Sequence, residues 1–185
     1  MHYCTLNIWG NHILRVFFSF VGKGVIMELP KRKPTRLKNY DYSQNGAYFV
    51  TVCTVEKRHI LSRIVGEGLC ALPQNIIMPI GKEIEKSIQF INENYQGVII
   101  DKYVIMPNHI HLIVKLNDSG GRGNPPLQNV IGQLKSYVAS KYPQPIWQRS
   151  FHDHVIRGEN DYNKIWEYID TNVSRWKDDC FYSAI

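Results

Sequence analysis

The sequence predicts an α+β domain of ferredoxin-like (RRM-like) form: an antiparallel sheet with helices on one face, plus a C-terminal helix that carries a tyrosine. Three observations lead there. Stretches rich in β-branched and aromatic residues fall at 45–55, 97–106, 109–116 and 147–158. Amphipathic stretches of helical period lie between the first and second of these and between the third and fourth, and another follows the last. The resulting order is strand, helix, strand, strand, helix, strand, helix, a split βαβ pattern with an added helix.

Composition narrows the classes. A chain of 185 residues can bury a full core as one domain. Its 44% hydrophobic and 12% aromatic content excludes a disordered chain. The net charge of +6 favours polyanionic partners, nucleic acid first. Cys4, Cys53, Cys70 and Cys180 are scattered without a CxxC pair, which points away from a zinc ribbon or a disulfide framework and fits a reducing, cytoplasmic location. Residues 1–26 read as an N-terminal extension outside the fold. Their apolar run from Val16 to Val21 is too short to span a bilayer, and they lack the marks of a secretory signal. Met27 then opens "MELPKRKPTRLKNY" as a natural start would, so residues 27–185 are expected to form the domain, with no membrane partner.

Lys31, Arg32, Lys33, Arg36 and Lys38 form a basic arm suited to phosphate contact. "NGAYFVTVCTV" follows a turn pair, Asn45-Gly46, and reads as the first strand; 66–73 reads as a loop. Pro79 suits the first turn of a helix whose apolar face is Ile80, Ile84, Ile88 and Ile91 and which Gly97 ends. "GVIIDKYVIM" and "HIHLIVKL" are joined through Pro107-Asn108, a link short enough to demand an antiparallel hairpin. The stretch 117–126 is a Gly- and Pro-rich loop. Leu127, Ile131, Leu134 and Val138 then line the second helix, "PQP" breaks it, and "WQRSFHDHVIRG" supplies the last strand. Asn160 or Asp161 can cap a final helix from Tyr162 to about Trp176, with Trp166, Ile169, Val173 and Trp176 as its buried stripe.

Candidate chemistry lies on the third strand. Alternation puts Ile110, Leu112 and Val114 toward the helix-covered core and His109, His111, Ile113 and Lys115 on the opposite face, left free for a site. Two imidazoles rooted roughly 6–7 Å apart on one face can meet at one metal ion. His152 and His154 form a second pair of the same spacing, so the spacing alone does not select the site. On the final helix, Lys164, Tyr168, Asn172 and Arg175 recur on a polar stripe, with Tyr168 and Asn172 one turn apart.

"MPNHIH" resembles the HUH motif of single-tyrosine transposases. "YSQNGAYFVTVCT", "IGQLKSYVASKY" and "IWQRSFHDHVIRGENDYNKIWEYIDTN" resemble segments of the REP-associated tyrosine transposase group and its insertion-sequence relatives, from about Lys31 to Tyr182. The resemblance implies a DNA transposase that cleaves and rejoins single-stranded DNA, recognised through hairpins, by way of a 5′-phosphotyrosine. It implies Tyr168 as nucleophile and His109, His111 and Asn172 as ligands of Mg²⁺ or Mn²⁺. Relatives often have glutamine at the position of Asn172 and proline at that of Val173. Tyr137 and Tyr162 are rival nucleophiles. Lys31, Arg32, Lys33, Lys115 and Arg122 are candidate DNA contacts, as is His154, which alternatively supports the site or completes a hydrogen bond on its strand. Both a monomer and a homodimer fit. The alternative reading is a non-catalytic or domesticated protein on the same fold that binds or nicks single-stranded nucleic acid.

Overall fold

The alternating stretches pair into one antiparallel sheet in the computed structural model, which describes residues 36–66, 73–117 and 124–182. The expected extension, 1–26, lies outside the described residues, as do Lys31, Arg32, Lys33 and Arg122. In chain order the elements are β1 (Gly46–Cys53), β2 (Ser62–Val65), β3 (Gln74–Ile77), α1 (Pro79–Asn94), β4 (Val98–Ile105), β5 (His109–Leu116), α2 (Leu127–Ala139), β6 (His152–Ile156) and α3 (Glu159–Thr171). The four-stranded sheet has the order β4-β5-β1-β6 with every neighbour antiparallel. That is the ferredoxin-like arrangement expected of two split βαβ units.

Helices α1 and α2 cover one face. Ile84, Ile88 and Ile91 of α1 and Leu127, Ile131, Leu134 and Val138 of α2 pack with Val50, Val52, Ile110, Leu112 and Val114 in the main core. The opposite face is not free. Helix α3 covers it, and Ile165 and Ile169 bury a second, smaller core against Phe49 and Ile113. Of the expected stripe Ile169 and Trp176 are buried and Trp166 and Val173 only partly so; α3 itself ends at Thr171, its buried residues are Ile165 and Ile169, and Asn172 and Trp176 are buried just beyond it. Trp166 sits at the edge, where the Lys102 ammonium lies 4.4 Å from its ring centre.

Several boundaries differ from expectation for local reasons. Neither Asn160 nor Asp161 caps α3. The helix starts after Gly158, whose φ of +87° only glycine adopts readily. Asp161 instead accepts the Arg157 N–H at 2.9 Å. The last strand is shorter than 147–158. Its ladder with β1 begins at Thr51 and His152, because the chain at Ile146 and Trp147 crosses the end of β1 through the Val55 N–H and a bridge to Thr54. The β2–β3 hairpin was not expected: each strand has four residues, too few for a period to stand out. Ser62 Oγ and Asn75 Nδ2 donate to the Ile105 carbonyl at 2.9 and 2.7 Å and fix the hairpin to the end of β4.

Gly81 sets how closely α1 approaches this hairpin. A Cβ there would lie 2.4 Å from the Leu61 carbonyl oxygen and 2.7 Å from Ile77 Cγ2. Gly81→Ala is therefore expected to cost about 1–3 kcal/mol through overpacking, despite alanine's better helix propensity. Chemical denaturation checks this; an unchanged midpoint would mean that the contact yields freely.

Candidate active site

Strand register builds the first half of the site. β1 and β5 pair so that Cys53, Thr51 and Phe49 stand opposite His109, His111 and Ile113, all on the α3 side of the sheet. The Pro107-Asn108 link closes with the Met106 N–H donating to the His109 carbonyl at 2.8 Å. Both imidazoles are fully buried. Asn108 orients the first: its Nδ2 donates to the Phe181 carbonyl at 2.9 Å, so its Oδ1, 2.8 Å from His109 Nδ1, accepts the hydrogen there. His109 Nε2 is then a bare lone pair. The Thr51 hydroxyl, 2.9 Å from His111 Nδ1, is placed to do the same for the second imidazole. The two Nε2 atoms face each other at 3.0 Å. Burial pushes the His111 pKa down to about 3. Burial, then the His111 and Lys57 charges, holds His109 well below its ordinary value. Both rings are neutral at physiological pH, so the 3.8 Å approach of Asp179 Oδ2 to His109 Nε2 is not an ion pair.

Helix α3 and the chain beyond it bring the second half. The Tyr168 ring packs its edge on Phe49 and lies 5.2 Å, centre to centre, from the His111 ring. Its hydroxyl is 3.2 Å from His111 Nε2 and 3.4 Å from Asp179 Oδ2. Burial, and next the Asp179 charge, raises the phenol's pKa, so it keeps its proton in this environment. Asn172, one turn on, is buried; its Nδ2 donates to Asp179 Oδ2 at 3.1 Å, and its Oδ1 has no partner. Asp179 was not foreseen as part of the site. After α3 a short 3-10 turn, Trp176–Asp178, folds the chain back and delivers its carboxylate, which also accepts the Phe181 N–H at 2.7 Å. No single helical period links Asp179 to Tyr168, so the only signal in the sequence was a carboxylate shortly after Asn172.

His109, His111 and Asp179 bring ligand atoms within 4.8 Å of one another. Two imidazole lone pairs, a carboxylate and an orphaned amide oxygen thus gather in a buried place with few donors among them. Such a set is costly unless something positive joins it. Mixed imidazole and oxygen donors suit a divalent cation of the Mg²⁺ or Mn²⁺ kind.

The remaining candidates lie elsewhere. Tyr137, on α2, packs on the main core, across the sheet from the histidines. The Tyr162 hydroxyl donates to Asp101, and the Lys115 ammonium sits 2.7 Å from the same carboxylate and 4.8 Å from the Tyr162 ring centre. The ladder shifts register around Asp101, which lets Asp101 and Lys102 both tie α3 to the sheet, Lys102 through Asp170. Lys115 is thus engaged in holding α3. His154 Nε2 lies 2.9 Å from Asp161 Oδ2, at the start of α3.

No family model matches the chain. A protein of Haemophilus influenzae (strain ATCC 51907 / DSM 11121 / KW20 / Rd), described as uncharacterized, is 30% identical over 173 residues, which cover 82% of this chain and 93% of that protein. The structure of the REP-associated tyrosine transposase bound to a REP hairpin aligns over 77% of this chain and 73% of its own, with a TM-score of 0.52 and 20% identity. The second likeness is one of fold.

Proposed function

The chain belongs to a family that includes the Haemophilus influenzae protein and is built on the REP-associated tyrosine transposase fold, and from that premise we propose that it cleaves and rejoins single-stranded DNA with Tyr168 as nucleophile. The observation that carries this is the 3.2 Å approach of the Tyr168 hydroxyl to the Nε2 of a neutral, buried histidine, itself 3.0 Å from its twin. His109, His111, Asn172 and Asp179 would hold a divalent cation, Mg²⁺ or Mn²⁺. Bound there, the ion would withdraw charge from a phosphate and from the phenol.

Tyr168 Oη attacks phosphorus, the bond from phosphorus to the 3′ oxygen breaks, and that oxygen ends as a hydroxyl with the proton the phenol gives up. The 5′-phosphotyrosine keeps the energy of the phosphodiester, so rejoining needs no nucleotide cofactor. The Tyr168 hydroxyl lies 3.2 Å from His111 Nε2 of its own chain, which favours a tyrosine and histidines acting together in cis. A hairpin is the favoured substrate, because the transposase of like fold was solved on one. The alternative of an open-sheet binding module is weakened by α3, which covers the face that would stack bases.

Incubation with single-stranded hairpin DNA and Mn²⁺ tests the proposal. A denaturation-resistant protein–DNA adduct is expected; its absence across hairpins of varied stem and loop would overturn it. Asn108 offers a second check. Because it fixes the His109 ring and its tautomer, Asn108→Ala is expected to weaken Mn²⁺ binding by about 10–100-fold. Titration calorimetry reads this directly, and unchanged affinity would remove His109 from the ligand set.

A further inference from the structure

Beyond β1 the chain enters a left-handed turn at two consecutive non-glycine residues, Glu56 (φ 55°) and Lys57 (φ 53°). Neither side chain favours that conformation, and such strain persists only where the surroundings over-determine it. Here they do. Thr54 Oγ1 donates to the Arg58 carbonyl at 2.9 Å and lies 3.0 Å from the Asn108 carbonyl, and the Thr54 N–H donates to that same oxygen at 2.9 Å. The strained turn is therefore bolted to Asn108, the residue that orients His109. It aims Lys57 at the site: the ammonium lies 5.7 Å from the centre of the Phe181 ring, and that ring lies 4.6 Å from the His109 ring. Lys57 is exposed and makes no ion pair among the described residues.

We propose that Lys57 is the cation that receives the scissile phosphate, its ammonium binding a non-bridging oxygen beside the histidine pair; this rests on the reading of Tyr168 as nucleophile. In the arrangement described, Phe181 touches both Lys57 and His109, so it stands where a phosphate would have to lie to meet them together. With the Phe181 ring turned aside, a positive charge carried there by the strained turn would stabilise the charge that develops on the phosphate. Lys102 and Lys115, the basic side chains on the sheet beneath α3, are committed to Asp170 and Asp101.

The test is single-turnover cleavage of a single-stranded hairpin in Mn²⁺ by the full chain. Lys57→Gln is expected to slow adduct formation by about 10²-fold, as removal of one charge-stabilising donor does, while Mn²⁺ is still bound and Tm stays near the wild-type value. Lys57→Arg, which keeps the charge, is expected to regain at least about tenfold of that loss. A Lys57→Gln protein that forms adduct within threefold of the wild-type rate overturns the inference and leaves Tyr168 untouched. A wild-type protein that forms no adduct overturns the nucleophile first, and the lysine's role with it.

Discussion

Tyr168→Phe protein is expected to form no covalent adduct with single-stranded hairpin DNA in Mn²⁺, and its strand cleavage is expected to fall by roughly 10⁴-fold or more, the scale on which a covalent nucleophile is lost. The substitution is informative because it subtracts so little else. The ring survives, and with it the edge contacts to Phe49 and His111. What disappears is one hydroxyl and its approaches to His111 Nε2 and Asp179 Oδ2. A buried hydrogen bond of that kind contributes about 0.5–1.5 kcal/mol, too little to unfold the domain. Loss of adduct with Tm nearly unchanged therefore assigns the chemistry and not the fold. Tyr162→Phe and Tyr137→Phe are expected to keep the adduct. The first breaks a tie to Asp101 and so loosens α3; the second removes a hydroxyl on the far side of the sheet. An adduct that survives in Tyr168→Phe and disappears in Tyr137→Phe would reverse the assignment.

The contrast between these tyrosines also shows what was legible in the sequence. Strand alternation and the short Pro107-Asn108 link were enough to put His109 and His111 on one face, because period and turn length are local properties. The spacing of Tyr168 and Asn172 likewise follows from the helix alone. What period could not supply was the third dimension on the α3 side. A stripe read around Trp166 differs from one around Ile165 by a single residue, and the packing of Phe49 and Ile113 chose the latter. That small rotation turned Asn172 inward, and the docking of α3 on Phe49 and Ile113 covers the face that alternation alone had left open. Asp179 was illegible for a different reason: it reaches the histidines through a 3-10 turn and a hydrogen bond from the Phe181 N–H, neither of which leaves a repeating trace. Lys57 was hidden in the same way, since nothing in "TVEKRH" marks a left-handed turn.

Acid is expected to destabilise the metal-free protein steeply, and the histidine pair is the reason. In the unfolded chain both imidazoles take up a proton near pH 6.5. In the folded chain burial keeps His111 neutral down to about pH 3, and burial followed by the His111 and Lys57 charges keeps His109 neutral well below its ordinary range. The unfolded state thus binds more protons across this window, so stability rises with pH there and is lost as pH falls below about 6.5. At pH 5 each imidazole lies about 1.5 pH units below its unfolded pKa, which corresponds to about 2 kcal/mol, or about 4 for the pair. For a protein of this size that is a fall in Tm of about 10 °C between pH 7 and pH 5. His59, also held low by burial, adds in the same direction. Replacing both His109 and His111 with glutamine removes the two groups that titrate only on unfolding, so the drop between pH 7 and pH 5 should shrink to what His59 and the carboxylates supply. Mn²⁺ at 100 times its Kd should raise stability at pH 7 by about 2.7 kcal/mol in the wild type and by nothing in the double variant. Differential scanning calorimetry at matched ionic strength reads all of these. A wild-type Tm that does not move between pH 7 and pH 5 would mean that the imidazoles meet protons as freely in the folded chain as in the unfolded one, and a buried, charge-neutral ligand pair would then be the wrong description of the site.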